Sequence, residues 1–361
     1  MARHRRPAVD RRRFLKGALG GSAVAGIGIS LPKLALADGG EVNFYNYDTY
    51  IGETTLEDFE ELTGTKVNYD LFADNEEMFA KLRGGNPGYD LIVPSNEYVE
   101  RLILAELLQP LDKSKIPNAR NLDPAFADPA FDSGRTYSLP YMWGTIGIGY
   151  RKSAVSAPPS SWNDLYASDE YAGRIALMSS PVYVIQMAMK AMGKSINDWT
   201  PENIAAAEKM IIEQKDRVVA FAPDNGQDLL LAGEVDLAME WNGDILQVMS
   251  EDDDIGYVVP DEGGLVWEDC LCIPTGAPNP DNAHALIDYL LDAEAGAAIA
   301  EYVYYATPNA AAKALMGVDY TENPAIFPSA EAIESSEVSV YPGPETTRLI
   351  DEAWTRIKAA G

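Results

Sequence analysis

Histidine and cysteine, which build many catalytic and metal centres, are almost missing from this sequence. The 361 residues include two histidines and two cysteines, and His284 is the only histidine beyond position 37. The usual general base of Ser and Cys nucleophiles and the usual metal clusters are therefore excluded. His284 lies off the apolar stripe of its predicted helix and four residues before Asp288, so we expect a solvated pair there. An enzyme whose catalytic groups are carboxylates alone remains possible, but the sequence does not single out a pair of carboxylates for this role.

The two cysteines, Cys270 and Cys272, are separated by one residue in a predicted strand. Residues i and i+2 of a strand lie about 6.6–6.8 Å apart, at the far limit that a disulfide tolerates. We therefore predict two buried free thiols.

Basic residues are scarce, with 28 Lys and Arg against 56 Asp and Glu, which gives a formal net charge of −28. This sign argues against nucleic acid or an anionic membrane as a partner. Residues 1–37 carry eight basic residues and one acid, or +7, whereas residues 38–361 carry 20 basic and 55 acidic residues, or −35. The hydrophobic content of 47% in residues 1–361 is typical of a soluble globular protein that is long enough for two domains.

The basic first segment, residues 1–37, is predicted to be an export signal. Arg11-Arg12-Arg13-Phe14-Leu15-Lys16 resembles the twin-arginine motif, and the apolar stretch 17–31 and the small-residue site Ala35-Leu36-Ala37 follow it. About 20 apolar residues are needed to span a membrane, so a retained anchor is the weaker alternative. We expect a cleaved signal peptide and a protein in the periplasm or outside the cell.

The rest of the chain alternates between strand and helix patterns. Strands are predicted at 42–46, 66–71, 89–93, 146–150, 235–240 and 271–273, and helices at 54–63, 76–83, 98–108, 204–214 and 281–291. This order predicts an α/β fold whose sheet is mostly parallel, with helices on its faces. Gly-rich crossings near 143–149 and 263–269 suggest two lobes that are joined by more than one segment.

Aromatic and acidic residues recur where the predicted strands end. They occur in the segments 46–50, 94–98, 241–244 and 267–269. Ligands of open α/β sheets bind beyond the carboxyl ends of the strands. Aromatic faces together with carboxylates are typical of a site for an organic ammonium ion. Each aromatic residue taken alone could equally serve in packing between the lobes.

Short motifs then carry a family resemblance in sequence order. They are Phe44-Tyr45-Asn46-Tyr47 with Tyr50, Tyr89-Asp90-Leu91-Ile92-Val93-Pro94-Ser95, Leu139-Pro140-Tyr141-Met142-Trp143-Gly144-Thr145, Gln186-Met187-Ala188, Gly233-Glu234-Val235, Trp241-Asn242-Gly243, Glu262-Gly263-Gly264 with Trp267 and Asp269, and Thr307-Pro308-Asn309. In these motifs the chain resembles the bacterial periplasmic spermidine/putrescine-binding proteins that serve ABC transporters.

The resemblance implies a two-lobed type II periplasmic binding fold, in which the lobes close on the ligand about hinge strands. Residues 38–145 and 267–313 would form the N-terminal lobe, and residues 146–266 and 314–361 the C-terminal lobe. The implied ligand-binding aromatics are Tyr47, Tyr50, Trp241, Trp267 and Tyr305. Ser95 matches a serine of the family's pocket, and Asp269 matches a carboxylate that accepts an ammonium group.

The sequence departs from the family pattern at four positions of the predicted site. Spermidine-binding members carry two acids where this chain has Ser180 and Tyr183. Conversely, Asp48 and Glu97 stand where a hydroxyl residue and an aromatic or small residue are expected. Either the acids are redistributed to the other lobe, or the ligand is not a standard polyamine.

Together with these residues, the resemblance implies a soluble monomeric binding protein, not an enzyme and without a cofactor, which delivers putrescine or spermidine to an ABC permease. The methylene chain would stack between Tyr47, Trp241 and Trp267, and the ammonium ends would bind Asp269 and either Asp48 or Glu97. Three alternatives stay open. They are another amine, a guanidino compound or an amino acid as ligand, ferric ion bound by the Tyr304-Tyr305 pair, and an exported carboxylate-only hydrolase.

Overall fold

A central ten-stranded sheet with helices around it organises the computed structural model, which describes residues 39–223 and 225–360. The strands are β1 (Gly40–Asn46), β2 (Thr65–Leu71), β3 (Leu91–Ile92), β4 (Ser138–Arg151), β5 (Ile175–Met178), β6 (Val218–Ala222), β7 (Leu237–Trp241), β8 (Ile255–Val258), β9 (Leu265–Cys272) and β10 (Glu337–Val338). The predicted export signal, with its twin-arginine motif and cleavage site, lies outside the described residues.

Helices connect most of these strands. They are α1 (Thr55–Thr63), α2 (Asn75–Arg83), α3 (Asn96–Leu104), α4 (Asn163–Tyr166), α5 (Pro181–Ala191), α6 (Pro201–Gln214), α7 (Gly226–Leu231), α8 (Asn242–Met249), α9 (Pro280–Leu290), α10 (Ala293–Val303), α11 (Ala310–Lys313), α12 (Val318–Thr321), α13 (Ala330–Ser335) and α14 (Pro344–Ala359). No helix of the described residues is long and apolar enough to cross a membrane.

The first part of the sheet is parallel, with β1 between β2 and β3. Local sequence explains how the chain turns between these strands. Gly64 ends α1 in a left-handed conformation with φ of 73°, where its N–H donates to the Glu60 carbonyl. The Asp74 side chain precedes α2 and accepts the N–H of Glu77. These turns return the chain so that β1, β2 and β3 all end on the same side.

The 14-residue strand β4 joins the two parts of the sheet. Its first part pairs antiparallel with β9, where Met142 lies opposite Asp269 and Gly144 lies opposite Trp267. Its second part pairs antiparallel with β7, from Ile146 opposite Trp241 to the end of the ladder at Tyr150. Because β3 runs parallel to β4 and β7 runs against it, the carboxyl ends of β3 and β7 converge near the middle of β4.

The complete path of the sheet is β2-β1-β3-β9-β4-β7-β5-β6, with β8 paired to β4 and β10 paired to β9. The two segments predicted as crossings, 143–149 and 263–269, fall largely within β4 and β9, and these two strands pair with each other. The lobe boundaries at residues 145/146, 266/267 and 313/314 stay a prediction.

The predicted elements differ from the observed ones mainly at their ends. β3 has two residues instead of the five predicted at 89–93. The helix predicted at 98–108 begins at Asn96 and ends at Leu104, because Glu106 takes a left-handed conformation with φ of 59° and the chain turns there. β5, β6, β8 and β10, which have five residues or fewer, were not predicted.

The prediction of a solvated His284 is wrong. The imidazole is buried, its Nε2 accepts the N–H of Asp112 at 2.9 Å, and its Nδ1 lies 2.6 Å from the Pro280 carbonyl oxygen. Asp288 is buried as well and accepts the N–H of Asn118. Both side chains therefore fasten α9 to the loop that precedes β4.

The two cysteines are buried and free, as predicted. Their strand, β9, also carries a buried ion pair directly beside Asp269. Arg135 Nη1 lies 2.6 Å from a carboxylate oxygen of Glu268, and the two side chains are only 4% and 9% exposed. The Cys270 thiol lies 3.2 Å from the same carboxylate. The ion pair therefore fixes β9 next to a predicted site residue.

Replacing Arg135 by Met is expected to lower the free energy of unfolding by about 3–5 kcal/mol, because the Glu268 carboxylate then stays buried without a partner. Arg348→Met is the matched control, since Arg348 forms an exposed pair with Glu352, and its cost is expected to be below about 1 kcal/mol. Urea unfolding measures both. Equal losses in the two variants would contradict a structural role for the buried pair.

Candidate ligand-binding site

Six aromatic side chains form a continuous row of edge-to-face contacts. In order along the row they are Tyr183, Trp241, Trp267, Tyr305, Tyr50 and Tyr47, with ring centroids 5.2, 5.8, 5.0, 5.7 and 5.6 Å apart. The planes of neighbouring rings meet at 79° to 89°, a preferred geometry for aromatic pairs. We refer to these six residues as the aromatic row, and all six are predicted site residues.

The topology of the sheet explains why these rings meet. Tyr47 and Tyr50 follow β1, Trp241 is the last residue of β7, Trp267 lies in β9, Tyr183 lies in the first turn of α5, and Tyr305 follows α10. The carboxyl ends of β3 and β7 converge near the middle of β4, and β1 ends beside β3 in the same direction. Residues as far apart in the chain as Tyr47 and Tyr305 are therefore brought to one place.

Two glycines allow the rings to approach the backbone. A Cβ atom at Gly144 would lie 2.6 Å from the Trp267 ring, and one at Gly243 would lie 2.2 Å from the Tyr305 ring. Real Cβ atoms do not come this close to other atoms, so any larger residue would displace a ring. Glycine is therefore required at these two positions of the motifs, because only glycine leaves room for the rings of the aromatic row.

Asp269 lies beside the aromatic row with only 8% of its surface exposed. The Tyr50 hydroxyl donates a hydrogen bond of 2.8 Å to its carboxylate. Burial raises the pKa of Asp269 to about 7, and the negative charges of Glu97 and Glu268 act in the same direction, whereas the Tyr50 hydrogen bond opposes them. The site thus contains a carboxylate that is costly to ionise without a cation.

Glu97 provides a second buried carboxylate, which is hydrogen-bonded to Tyr183 of the aromatic row. It lies in the first turn of α3, is 9% exposed, and accepts a hydrogen bond of 2.9 Å from the Tyr183 hydroxyl. Burial raises the pKa of Glu97, against the effect of the hydroxyls of Tyr183 and Ser339. Within residues 39–223 and 225–360, no Lys or Arg forms an ion pair with Glu97 or Asp269.

The three remaining predicted site residues are placed differently. Ser95 is bridged through its backbone to Asp269, and its Oγ accepts a hydrogen bond from Asn75. Ser180 directly precedes α5 and is half-buried. Asp48 is exposed and accepts the N–H of Thr49. The structure therefore brings Ser95 to the site but leaves the Asp48 carboxylate in solvent.

Sequence reasoning missed several residues that support the aromatic row. Tyr141 donates its hydroxyl to the Tyr50 carbonyl at 2.8 Å, and the Asn46 side chain donates to the same oxygen at 3.0 Å. Asp244 accepts the hydroxyl of Tyr305 at 3.1 Å. Tyr141 and Asn46 lie in family motifs, which could have identified them. Asp244 lies in a segment where acids were noted, but nothing in the sequence pairs it with Tyr305.

The tyrosine pair considered for ferric ion is split in the structure. Tyr304 ends α10 in a left-handed conformation and is 40% exposed, whereas Tyr305 contacts Trp267 and Asp244. The described part of the chain contains no group of three His, Cys, Asp or Glu residues that could hold a metal ion. The two tyrosines therefore have different surroundings, and only Tyr305 belongs to the aromatic row.

Comparison with known proteins identifies the family of this chain. The family model described as bacterial extracellular solute-binding protein matches residues 54–328. The chain belongs to this family. It is 36% identical over 324 residues to the spermidine/putrescine-binding periplasmic protein of Escherichia coli, covering 89% of this chain and 92% of the relative. The putrescine-binding periplasmic protein PotF of the same organism is 31% identical, covering 96% and 98% of the two chains.

A solved structure shows the same fold in this family. The spermidine/putrescine ABC transporter substrate-binding protein PotD of Streptococcus pneumoniae superposes with a TM-score of 0.82 at 30% identity, covering 89% of this chain and 99% of that protein. The resemblance and the fold class predicted from the sequence are thereby confirmed.

The ionisation of Asp269 should appear in the stability of the ligand-free protein. Because the pKa of Asp269 rises from 3.8 to about 7 on folding, its contribution to stability is complete below pH 4 and disappears as the pH rises to about 7. Replacing Asp269 by Asn should remove this dependence. Relative to that variant, the unmodified protein should lose up to about 4 kcal/mol between pH 4 and pH 7.5.

Urea unfolding at several pH values measures this difference. Asp48→Asn is the control, because it removes one negative charge at an exposed position. Parallel pH profiles for the unmodified protein and Asp269→Asn would show that this carboxylate is not buried as described.

Proposed function

We propose that this protein binds a linear polyamine, putrescine or spermidine, and delivers it to an ABC permease. The proposal is supported above all by the aromatic row and its two buried carboxylates, Asp269 bonded to Tyr50 and Glu97 bonded to Tyr183, neither of which has a cationic partner among the described residues. The similar proteins named above are spermidine/putrescine-binding and putrescine-binding periplasmic proteins. Their names agree with the chemistry of this site.

A polyamine would satisfy the two kinds of surface in the site. Its methylene chain is apolar and fits against the rings of Tyr47, Trp241 and Trp267. Its ammonium groups would neutralise the buried carboxylates and interact with the aromatic faces. Closure around the ligand would remove water and strengthen these charge interactions. Binding would thus remove the energetic cost that the carboxylates impose on the free protein.

The second ammonium group is assigned to Glu97 rather than to Asp48. Glu97 is buried and bound to Tyr183, whereas Asp48 is exposed. Tyr183 is also one of the two positions where the resembling spermidine-binding proteins carry an acid. The contact of Glu97 with Tyr183 supports a redistribution in which this carboxylate replaces the missing one from the opposite side of the site.

Binding of polyamines is tested by titration calorimetry. We expect heat on addition of putrescine or spermidine to the unmodified protein. Asp269→Asn should weaken binding by about 2–5 kcal/mol, or roughly 30-fold and more, because one ammonium group is then buried without its counter-charge. Asp48→Asn should bind like the unmodified protein.

An absence of heat and of any thermal shift with both amines at millimolar concentration would overturn the polyamine proposal. Binding of a guanidino compound or an amino acid in the same experiment would keep the binding role and change the ligand class. Turnover of a sugar polymer or an ester would instead favour the hydrolase. We propose that the protein binds its ligand as a monomer and does not catalyse a reaction.

We further propose that the first 37 residues export the folded protein through the twin-arginine pathway. Replacing the pair Arg11-Arg12 by two lysines should retain the full-length precursor in the cytoplasm, because this pathway reads the arginine pair itself. Cell fractionation followed by immunoblotting measures the outcome. Replacing Arg5 and Arg6 by lysine is the matched control, and equal export of the two variants would contradict the proposal.

A further inference from the structure

Asn96 lies where the helix that carries Glu97 meets β9, the strand of Asp269. It is the first residue of α3 and is fully buried. Its side-chain Oδ1 accepts the N–H of Glu268 at 3.2 Å, and its Nδ2 donates to the Ser339 carbonyl at 2.6 Å. One carboxamide group therefore joins the start of α3 to β9 and to the segment that follows β10.

The acceptor bond of Asn96 continues a short antiparallel ladder. Ser95 pairs antiparallel with Asp269, and the Cys270 N–H donates to the Pro94 carbonyl at 2.9 Å. In this register, the next N–H on the same edge of β9 would donate to the backbone carbonyl of Asn96. That carbonyl points along α3 instead, because the helix begins at this residue. The side chain of Asn96 thus replaces its own backbone as the acceptor.

The donor bond of Asn96 reaches a second ladder on the same edge of β9. There β10 pairs in parallel with Leu265 and Val266, whereas β4 covers the opposite edge. Ser339, whose carbonyl accepts the bond from Asn96, directly follows β10. Asn96 therefore fills the junction between the two backbones that lie along this edge of β9.

This junction fixes the position of Glu97 relative to Asp269. Glu97 directly follows Asn96, and Asp269 directly follows Glu268, whose N–H the Asn96 side chain binds. Each carboxylate is thus one residue away from the same hydrogen bond, which holds together the two backbones from which the carboxylates extend. A tyrosine hydroxyl then holds each carboxylate, at 2.9 Å for Glu97 and 2.8 Å for Asp269.

We propose that Asn96 is a positioning residue, which sets the spacing of the Glu97 and Asp269 carboxylates and thereby the length of the diamine that binds between them. The inference rests on the proposed function for the nature of the ligand. A linear diamine carries one ammonium group at each end, and each added methylene group moves the two charges apart. Two carboxylates at a fixed spacing favour one chain length, whereas carboxylates that can move would accept several.

Asn197 provides a matched control for Asn96. Its side chain also makes two hydrogen bonds, donating to the Val338 carbonyl at 2.9 Å and accepting the N–H of Val340 at 3.1 Å. Neither bond involves α3 or β9. Asn197→Ala therefore removes as many side-chain hydrogen bonds as Asn96→Ala, but it releases neither of the backbones that carry the two carboxylates.

The first test measures the Asn96 bond in the free protein. Asn96→Ala leaves the Glu268 N–H without its acceptor, so hydrogen exchange of this amide, followed by NMR, should become at least about tenfold faster. Asn197→Ala should leave the exchange rate of Glu268 unchanged. Unchanged exchange in Asn96→Ala would overturn the inference, because the bond would then not hold β9.

The second test compares 1,3-diaminopropane, putrescine, cadaverine and 1,6-diaminohexane by titration calorimetry. The unmodified protein should bind one of these lengths about tenfold more tightly than the least favoured one. In Asn96→Ala this ratio should fall to about threefold or less, because the spacing of the carboxylates is no longer fixed. Asn197→Ala should keep the ratio. Butylamine, which has one charge and does not span the two carboxylates, should bind alike to all three proteins.

Asn96→Ser is a second variant, which keeps the test decisive if Asn96→Ala does not fold. Serine is compatible with the start of a helix, but its shorter side chain cannot reach both partners of Asn96. It should lose the length preference in the same way. An equal loss of affinity for every diamine and for butylamine, with the order of lengths kept, would reduce Asn96 to a structural role and contradict the proposal.

The two tests separate this inference from the proposed function. If the unmodified protein binds no diamine and no spermidine, the polyamine function is wrong, and the length selection assigned to Asn96 is wrong with it. If diamines bind without a length preference, or if Asn96→Ala keeps the preference of the unmodified protein, only the inference is wrong.

Discussion

Burial of two carboxylates without a cation from the described chain governs the chemistry of this protein. Removing an ionised carboxylate from water costs several kcal/mol unless an opposite charge or hydrogen bonds compensate for it. Tyr50 and Tyr183 compensate Asp269 and Glu97 only in part, because a hydroxyl supplies one hydrogen bond and no charge. The adjacent Glu268, by contrast, is neutralised by Arg135. The same strand therefore carries one completed ion pair and one carboxylate that lacks its cation.

The sheet makes this arrangement possible. β4 and β9 pair along the middle of the sheet and bring the ends of β3 and β7 toward each other. The rings then need the bare backbone of Gly144 and Gly243 in order to pack against it. The same few side chains are thus positioned by three features together. These are the strand order, the space left by the two glycines and the hydrogen bonds to the carboxylates. None of them alone would define a site for a cation.

Much of this could be predicted from the sequence, for identifiable reasons. Aromatic and acidic residues after short apolar strands indicate a site at the strand ends, and the order of the motifs identifies the family. The sequence could not rank Asp48 against Glu97, because both precede a predicted helix and only burial distinguishes them. The buried state of His284 was missed because its acceptor role depends on a backbone N–H at Asp112, far away in the chain.

The aromatic row also has a thermodynamic consequence. Its members come from segments scattered between Tyr47 and Tyr305, so the row exists only when nearly the whole chain after the predicted signal is folded. A ligand that binds this arrangement and not the unfolded chain stabilises the folded state in proportion to the logarithm of its concentration. Occupancy of one small site would therefore be reported by resistance to heat or protease across the entire molecule, including helices such as α14 that contribute no residue to the row.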